Sequence, residues 1–134
     1  MVEQTIFSRH VLKGILMDKI YIRDLSVRTL IGTYEWEQEH KQDLIFNIEL
    51  RSSLREAGIA DDLDRTVNYK EVRDKIVKLA EDSSYKLIEA LAESTAETCL
   101  EFEGIESVKI TLDKPGALRY AKSVAVEIER FKQK

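Results

Sequence analysis

The chain has strand patterns at both ends and helix patterns between them, and this order constrains the fold most. Residues 19–28 and 42–51 alternate apolar and polar side chains, as half-buried strands do. The same alternation returns at residues 108–112 and 124–128. Strands grouped at the two ends predict an α+β domain of order ββααββ. Its four-stranded antiparallel sheet would carry both helices on one face.

The strand at residues 42–51 shows the alternation most clearly. Its apolar positions are Leu44, Phe46, Ile48 and Leu50, and its polar positions are Asp43, Asn47 and Glu49. We expect the apolar face to pack against the helices and the polar face to meet water.

Two helix patterns fill the middle of the chain. Asn68, followed three residues later by Glu71, resembles a capping box, which predicts that a helix begins at Tyr69. A second helix is predicted from about residue 86 to residue 102.

Three segments follow neither period. Residues 34–40 predict a connecting loop, and residues 55–65 predict an irregular connection with a short helical turn. Residues 114–117 contain the single proline of the chain and predict a turn.

Residues 1–16 stand apart from these patterns. They mix charged and apolar residues and lack the apolar core and cleavage site of a secretory signal. We interpret them as a poorly ordered N-terminal extension and residues 17–134 as one domain, since 134 residues leave no room for a second. Met17 directly precedes the first strand pattern, so the sequence leaves open whether translation begins at Met1 or Met17.

Composition argues against several classes of partner. No apolar run approaches the roughly 20 residues that a membrane-spanning helix needs. The 21 basic and 25 acidic residues are interspersed, so no basic stripe offers a surface for nucleic acid. The five glycines form no phosphate-binding loop.

Metal ligands are also few. His10, His40 and Cys99 occupy three separate segments without paired spacing, so no metal site is expected. Cys99 is the single cysteine, which forbids an intramolecular disulfide and favours the cytoplasm. Its place within a helix pattern favours packing over catalysis.

The predicted sheet has two open edges, which natural proteins pair, charge or cover. Oligomerisation through these edges is one solution, and a monomer with charged edge strands is another. The pattern leaves both open.

Two of four candidate chemical groups lie in the first half of the chain. Glu37 follows Trp36, and a carboxylate against an aromatic wall can be desolvated and proton-active. Tyr69 stands at a helix start, where a phenol can donate a proton. The ordinary alternatives are a solvated loop carboxylate and a half-buried packing residue.

The other two candidates lie later in the chain. Glu89 is flanked by apolar residues near a helix start, where a carboxylate can bind two adjacent N–H donors of a planar ligand. Lys114 precedes Pro115, whose rigid backbone would hold the ammonium in a fixed place. The alternatives are an exposed helix glutamate and a solvated lysine.

Taken in order, the segments around these four residues resemble dihydroneopterin aldolases, enzymes of folate biosynthesis. The segments are IGTYEWEQ (31–38), TVNY (66–69), LIEALAE (87–93) and LDKPGA (112–117). The resemblance extends over residues 17–130, and four motifs in order are far more specific than any one of them.

The resemblance implies a tunnelling fold (T-fold), whose subunits join edge to edge into a barrel-like tetramer, two of which stack as an octamer. Family active sites lie between subunits, so Tyr69 would come from one chain and Glu89 and Lys114 from its neighbour. The implied partners are a small pterin substrate and other copies of this chain.

The implied reaction is retro-aldol cleavage of dihydroneopterin to hydroxymethyl-dihydropterin and glycolaldehyde. It needs no metal, cofactor or Schiff base, because the ring C=N takes up the electrons of the broken bond. By resemblance, Lys114 transfers protons at the ring nitrogen and side-chain hydroxyl, Tyr69 helps to protonate the enol-like intermediate, and Glu37 supports catalysis.

The resemblance also implies a substrate-binding set. Glu89 matches the carboxylate that binds the amino and ring N–H groups of the pterin. Val67, Asn68 and Ile88 complete the frame, with Val67 and Ile88 acting through backbone groups.

Two alternatives remain. Residues 27–29, 117–121 and 123–124 also resemble a sister epimerase, which inverts a side-chain carbon of dihydroneopterin triphosphate and shares the cleavage intermediate. Residues 34–38 and 114–116 favour the aldolase. A non-catalytic pterin-binding or assembly protein is the alternative from another class.

Overall fold

A computed structural model describes residues 17–133. Its elements are β1 (Lys19–Thr29), α1 (Glu35–Glu39), β2 (Gln42–Arg51), α2 (Arg55–Ala60), a 3-10 helix (Leu63–Arg65), α3 (Tyr69–Asp82), α4 (Ile88–Leu100), β3 (Ser107–Pro115) and β4 (Ser123–Phe131). The strands form one antiparallel sheet in the order β1-β2-β3-β4. The predicted extension, residues 1–16, lies outside the described residues.

The predicted α+β class and four-stranded antiparallel sheet are confirmed. β2 has the predicted bounds, and α3 begins at Tyr69 as predicted. The Asn68 side chain accepts a hydrogen bond from the N–H of Lys70 at 3.1 Å, which satisfies a donor that the first turn of the helix would otherwise leave unpaired.

Two segments differ from their predicted form. The connection at residues 34–40 contains the helix α1, because the Glu37 carboxylate accepts a hydrogen bond from the Tyr34 N–H at 3.2 Å. Lys114 and Pro115, predicted to form a turn, are the last two residues of β3.

The two long helices cover one face of the sheet. The buried side chains that meet there are Val72, Ile76 and Ala80 of α3, Leu91, Ala92 and Ala96 of α4, Leu44, Phe46, Ile48 and Leu50 of β2, and Val108, Ile110 and Leu112 of β3. Full burial of each large apolar side chain contributes roughly 1.5–3 kcal/mol. This core fixes the sheet and the helix ends that carry the candidate site.

The opposite face of the sheet is polar, but part of it is buried. The Arg51 guanidinium bonds to Glu49 on its own strand and to Glu129 on β4, each at 2.5 Å, and so bridges β2 and β4 across β3. The prediction that this face meets water is wrong at Glu49. That residue is 9% exposed, because it is paired with an arginine that is itself buried.

The elements bring different residues to the two ends of the sheet. β2 has 10 residues, so its ends lie about 30 Å apart. Gln42, the first residue of β2, pairs with Thr29 of β1. The Thr29 hydroxyl donates a hydrogen bond to the carbonyl of Ala80, near the end of α3. Just beyond the last residue of β2, Ser52 lines a cavity with Val67, which precedes α3. We call these the Gln42 end and the Ser52 end.

Cys99 is fully buried in α4, and burial raises the pKa of its thiol to about 12, which suits packing rather than catalysis. Among residues 17–133, no helix is both long and apolar enough to cross a membrane. In the same part of the chain, no three His, Cys, Asp or Glu side chains gather in a way that could hold a metal ion.

Candidate active site

A shielded ion pair lies at the Gln42 end of the sheet. The Nζ atom of Lys114, near the end of β3, lies 2.6 Å from Oε2 of Glu37 in α1. The two side chains are 15% and 6% exposed, respectively. A charge-assisted bond of this length, largely screened from water, holds both groups in one geometry. Two of the predicted catalytic residues are therefore in direct contact.

The Glu37 carboxylate accepts two further hydrogen bonds. The Tyr34 N–H donates to Oε1, and Nε2 of Gln42 donates to Oε2, each at 3.2 Å. Burial acts to raise the pKa of Glu37, but the bonds from Lys114, Gln42 and Tyr34 outweigh it and hold the pKa below its ordinary value. Glu37 is therefore ionised at neutral pH.

Gly32 makes room for this carboxylate. Its φ is +129°, a conformation that other residues rarely adopt, and a Cβ at this position would lie 2.2 Å from the carboxyl carbon of Glu37. The Gly32 N–H donates to the carbonyl of Tyr85 at 3.2 Å. This hydrogen bond connects Gly32, which lines the site, to the segment that leads into α4.

The start of α4 lines the same cavity as the ion pair. The cavity has a volume of about 370 Å³, and Glu37, Lys114, Ile88 and Glu89 all line it. The first N–H groups of a helix have no partner within the helix, so this wall offers main-chain donors beside the Glu89 carboxylate. Trp36, which is 54% exposed, adds an aromatic wall. The cavity suits a small planar ligand with adjacent N–H groups.

Three predicted site residues lie far from the Glu37–Lys114 pair in the structure. Val67, Asn68 and Tyr69 stand at the start of α3, at the Ser52 end, where Val67 lines a separate cavity of about 320 Å³. The Tyr69 side chain is largely exposed. Because the ends of β2 lie about 30 Å apart, these three residues do not meet the Glu37–Lys114 pair within one chain. Within one chain, the predicted site residues therefore lie in two separate groups.

Comparison with known proteins assigns the chain to a family. The family model FolB, dihydroneopterin aldolase, matches residues 20–129. The chain belongs to the dihydroneopterin aldolase family. The family predicted from the four motifs is thus confirmed.

Individual relatives are similar to this protein over most of its chain. Dihydroneopterin aldolase of Escherichia coli (strain K12) is 40% identical over 114 residues, which cover 85% of this chain and 93% of that protein. The crystal structure of E. coli dihydroneopterin aldolase in complex with neopterin is 40% identical, with a TM-score of 0.81 over 85% of this chain and 99% of that chain. A dihydroneopterin triphosphate 2'-epimerase from Pseudomonas aeruginosa is 29% identical over 112 residues, 84% of this chain and 91% of that protein.

Sequence reasoning missed two residues of this candidate site. The alternating pattern assigns Gln42 to a strand, and nothing in it marks the residue as a hydrogen-bond donor to Glu37. Gly32 did carry a signal, because a glycine between a strand and a loop predicts an unusual backbone conformation. The reason for that conformation, the nearby carboxylate, becomes visible only in three dimensions.

Proposed function

We propose that this chain catalyses metal-independent retro-aldol cleavage of dihydroneopterin to hydroxymethyl-dihydropterin and glycolaldehyde. The observation that carries the proposal is the shielded Glu37–Lys114 pair, which shares a cavity with Glu89 at the start of α4. Family membership supports the same reaction, and the E. coli relative was crystallised with neopterin.

Glu89 binds the pterin ring in this proposal. Its carboxylate accepts hydrogen bonds from the amino group and the adjacent ring N–H, a two-point contact that fixes the orientation of the ring. The backbone of Ile88 lies beside it in the same cavity wall. Val67 and Asn68, contributed by a second chain, complete the frame around the ring.

Lys114 moves protons at the reacting end of the substrate. The bond between the first two side-chain carbons breaks, and its electron pair passes into the ring C=N, whose nitrogen takes a proton. The hydroxyl on the departing fragment loses its proton and becomes the aldehyde. An ammonium with three donors, held by the Glu37 carboxylate, suits proton transfer at both positions.

Tyr69 completes the reaction. The enol-like pterin left by cleavage gains a proton on its remaining side-chain carbon, with the phenol of Tyr69 assisting, while the ring nitrogen releases the proton that it took. Glu37 remains ionised throughout and supports Lys114.

The complete site forms where two chains meet. The sheet has two edges, β1 and β4, which run in opposite directions because each neighbouring pair is antiparallel. A rotated copy can therefore place its β1 beside β4 and continue the antiparallel order, which removes both edges when the ring closes. We place Tyr69 of one chain against Lys114 of its neighbour in such a tunnelling-fold ring, a tetramer or a stacked octamer.

The experiment that tests the proposal uses purified protein with a chelator present. Dihydroneopterin and, separately, its triphosphate are supplied, and the products are followed by chromatography. We expect glycolaldehyde and hydroxymethyl-dihydropterin from the unphosphorylated substrate. Epimerisation of the triphosphate without cleavage would assign the sister activity, which the 29% identical relative favours as the second candidate. No turnover of either would leave a binding or assembly role.

A further inference from the structure

The side-chain amide of Gln42 makes two hydrogen bonds at the site. Its Nε2 atom lies 2.8 Å from the carbonyl oxygen of Ile31 and 3.2 Å from Oε2 of Glu37. That same oxygen receives the Lys114 ammonium at 2.6 Å. An uncharged amide therefore contacts the carboxylate at the atom that holds the lysine.

Gln42 is anchored on both sides. It is the first residue of β2 and pairs with Thr29, which is fully buried and bonded through its hydroxyl to the carbonyl of Ala80. Its second acceptor, the carbonyl of Ile31, belongs to another fully buried residue. Because turning the amide away would leave a shielded carbonyl unpaired, its orientation is fixed by the scaffold.

We infer that Gln42 is a positioning residue for the proposed aldolase reaction, whose amide fixes the Glu37 carboxylate so that Oε2 holds the Lys114 ammonium at the substrate. The consequence for turnover rests on the proposed function, whereas the effect on Glu37 does not. Without the amide, Oε2 would keep only its bond to Lys114, and the orientation of the carboxylate would rest on that bond and on the Tyr34 N–H at Oε1.

The effect of the Gln42 hydrogen bond on Glu37 can be separated from the effects of the charged groups nearby. The titratable groups that share its cavity are Lys114 on β3, Lys86 and Glu89 around the start of α4, and Tyr34 on its own loop. Gln42 is uncharged, so replacing it with another uncharged residue leaves the net charge of the cavity unchanged. A change in the titration of Glu37 then reports the lost hydrogen bond.

The test compares Gln42→Met with a matched control, Gln38→Met. Methionine keeps the length of the side chain and removes the amide. The control removes a nearby amide from α1 that bonds to the carbonyl of Gly32 and not to Glu37. For each full-length protein, kcat and KM for dihydroneopterin are measured against pH, and the Glu37 carboxyl is titrated by carbon-13 NMR, with its signal assigned by Glu37→Gln.

We expect Gln42→Met to lower kcat about tenfold, the cost of one hydrogen bond to a charged group, and to change KM little. The Glu37 titration and the acid limb of the kcat profile should both move to higher pH, because a donor to the ionised form is lost. Gln38→Met should move neither.

An unmoved Glu37 titration in Gln42→Met, or an equal shift in Gln38→Met, overturns the inference. If Gln42→Met does not fold, Gln42→Asn withdraws the amide by one carbon and serves the same comparison. Absence of turnover in the unsubstituted protein would count against the proposed function, while the NMR titration would still decide the role of Gln42.

Discussion

The ammonium of Lys114 lies 2.6 Å from the carboxylate of Glu37, although 77 residues separate them in the sequence. The contact joins the end of strand β3 to α1, a helix of five residues. Because Glu37 is ionised at neutral pH, the lysine is held by charge as well as by geometry. The proposed chemistry depends on this pair.

Replacing Lys114 with alanine should therefore lower kcat by about 100-fold to 10,000-fold, the range for loss of a positioned acid or base. Pterin binding should change much less, because Glu89 remains. Steady-state kinetics and fluorescence titration with neopterin measure the two effects. Size-exclusion chromatography provides the control, since the assembly should be unchanged. Normal turnover in Lys114→Ala would contradict a role for Lys114 in the reaction.

Replacing Glu89 with alanine should instead weaken pterin binding by about 10-fold to 100-fold, as expected for lost bonds to a charged acceptor. Glu97→Ala is the matched control, because Glu97 is also exposed on α4 but lines a different groove. Isothermal titration with neopterin measures both affinities. Equal affinities for the two variants would contradict the assignment of Glu89.

The sequence predicted the elements of this fold where local patterns decide them. β2 alternates apolar and polar residues from Phe46 to Arg51, and Asn68 caps α3, so both elements were predicted at the correct residues. The sequence pattern did not predict α1, because apolar residues do not recur in this segment at helical spacing. Its first turn depends on the Glu37 carboxylate, which the tertiary contact with Lys114 holds in place.

The candidate site was predictable only through its motifs. Each motif marks a residue type suited to proton transfer or pterin binding, but no local pattern shows which motifs meet. The structure joins Glu37 to Lys114 and places Tyr69 at the far end of the sheet. The long-range pairing of the strands determines both the Glu37–Lys114 contact and the distant position of Tyr69. A short stretch of sequence does not show such pairing.

Co-expression of two variants tests the proposal that each active site forms between neighbouring chains. Lys114→Ala and Tyr69→Phe each disable one half-site, so oligomers of either variant alone should turn over slowly. Mixed oligomers should recover about a quarter of the active sites, because random assembly pairs an intact Tyr69 with an intact neighbouring Lys114 at that frequency. Differently tagged chains allow mixed oligomers to be purified and assayed. Activity no higher than that of the single variants would place each site within one chain.

The Arg51 bridge on the polar face of the sheet should make stability depend on pH. Burial acts to raise the pKa of Glu49, but the hydrogen bond and charge of Arg51, together with the charges of Lys19 and Lys109, outweigh it and lower the pKa below the ordinary value of 4.5. A carboxyl group with a lowered pKa in the folded state stabilises the fold above its unfolded pKa. That stabilisation is lost as the pH falls through the folded pKa.

Arg51→Met should accordingly lower the free energy of unfolding by about 3 kcal/mol at neutral pH, because Glu49 and Glu129 lose their shared cation. The difference from the unsubstituted protein should shrink in acid, since a protonated Glu49 needs no cation. Urea denaturation at pH 7 and at progressively lower pH, at fixed protein concentration, measures this. The control is Arg65→Met, which breaks a solvent-exposed pair with Asp62 and should cost less than about 1 kcal/mol at any pH. If the Arg51→Met curve runs parallel to the unsubstituted one at every pH, the ion pair is not the source of the pH dependence.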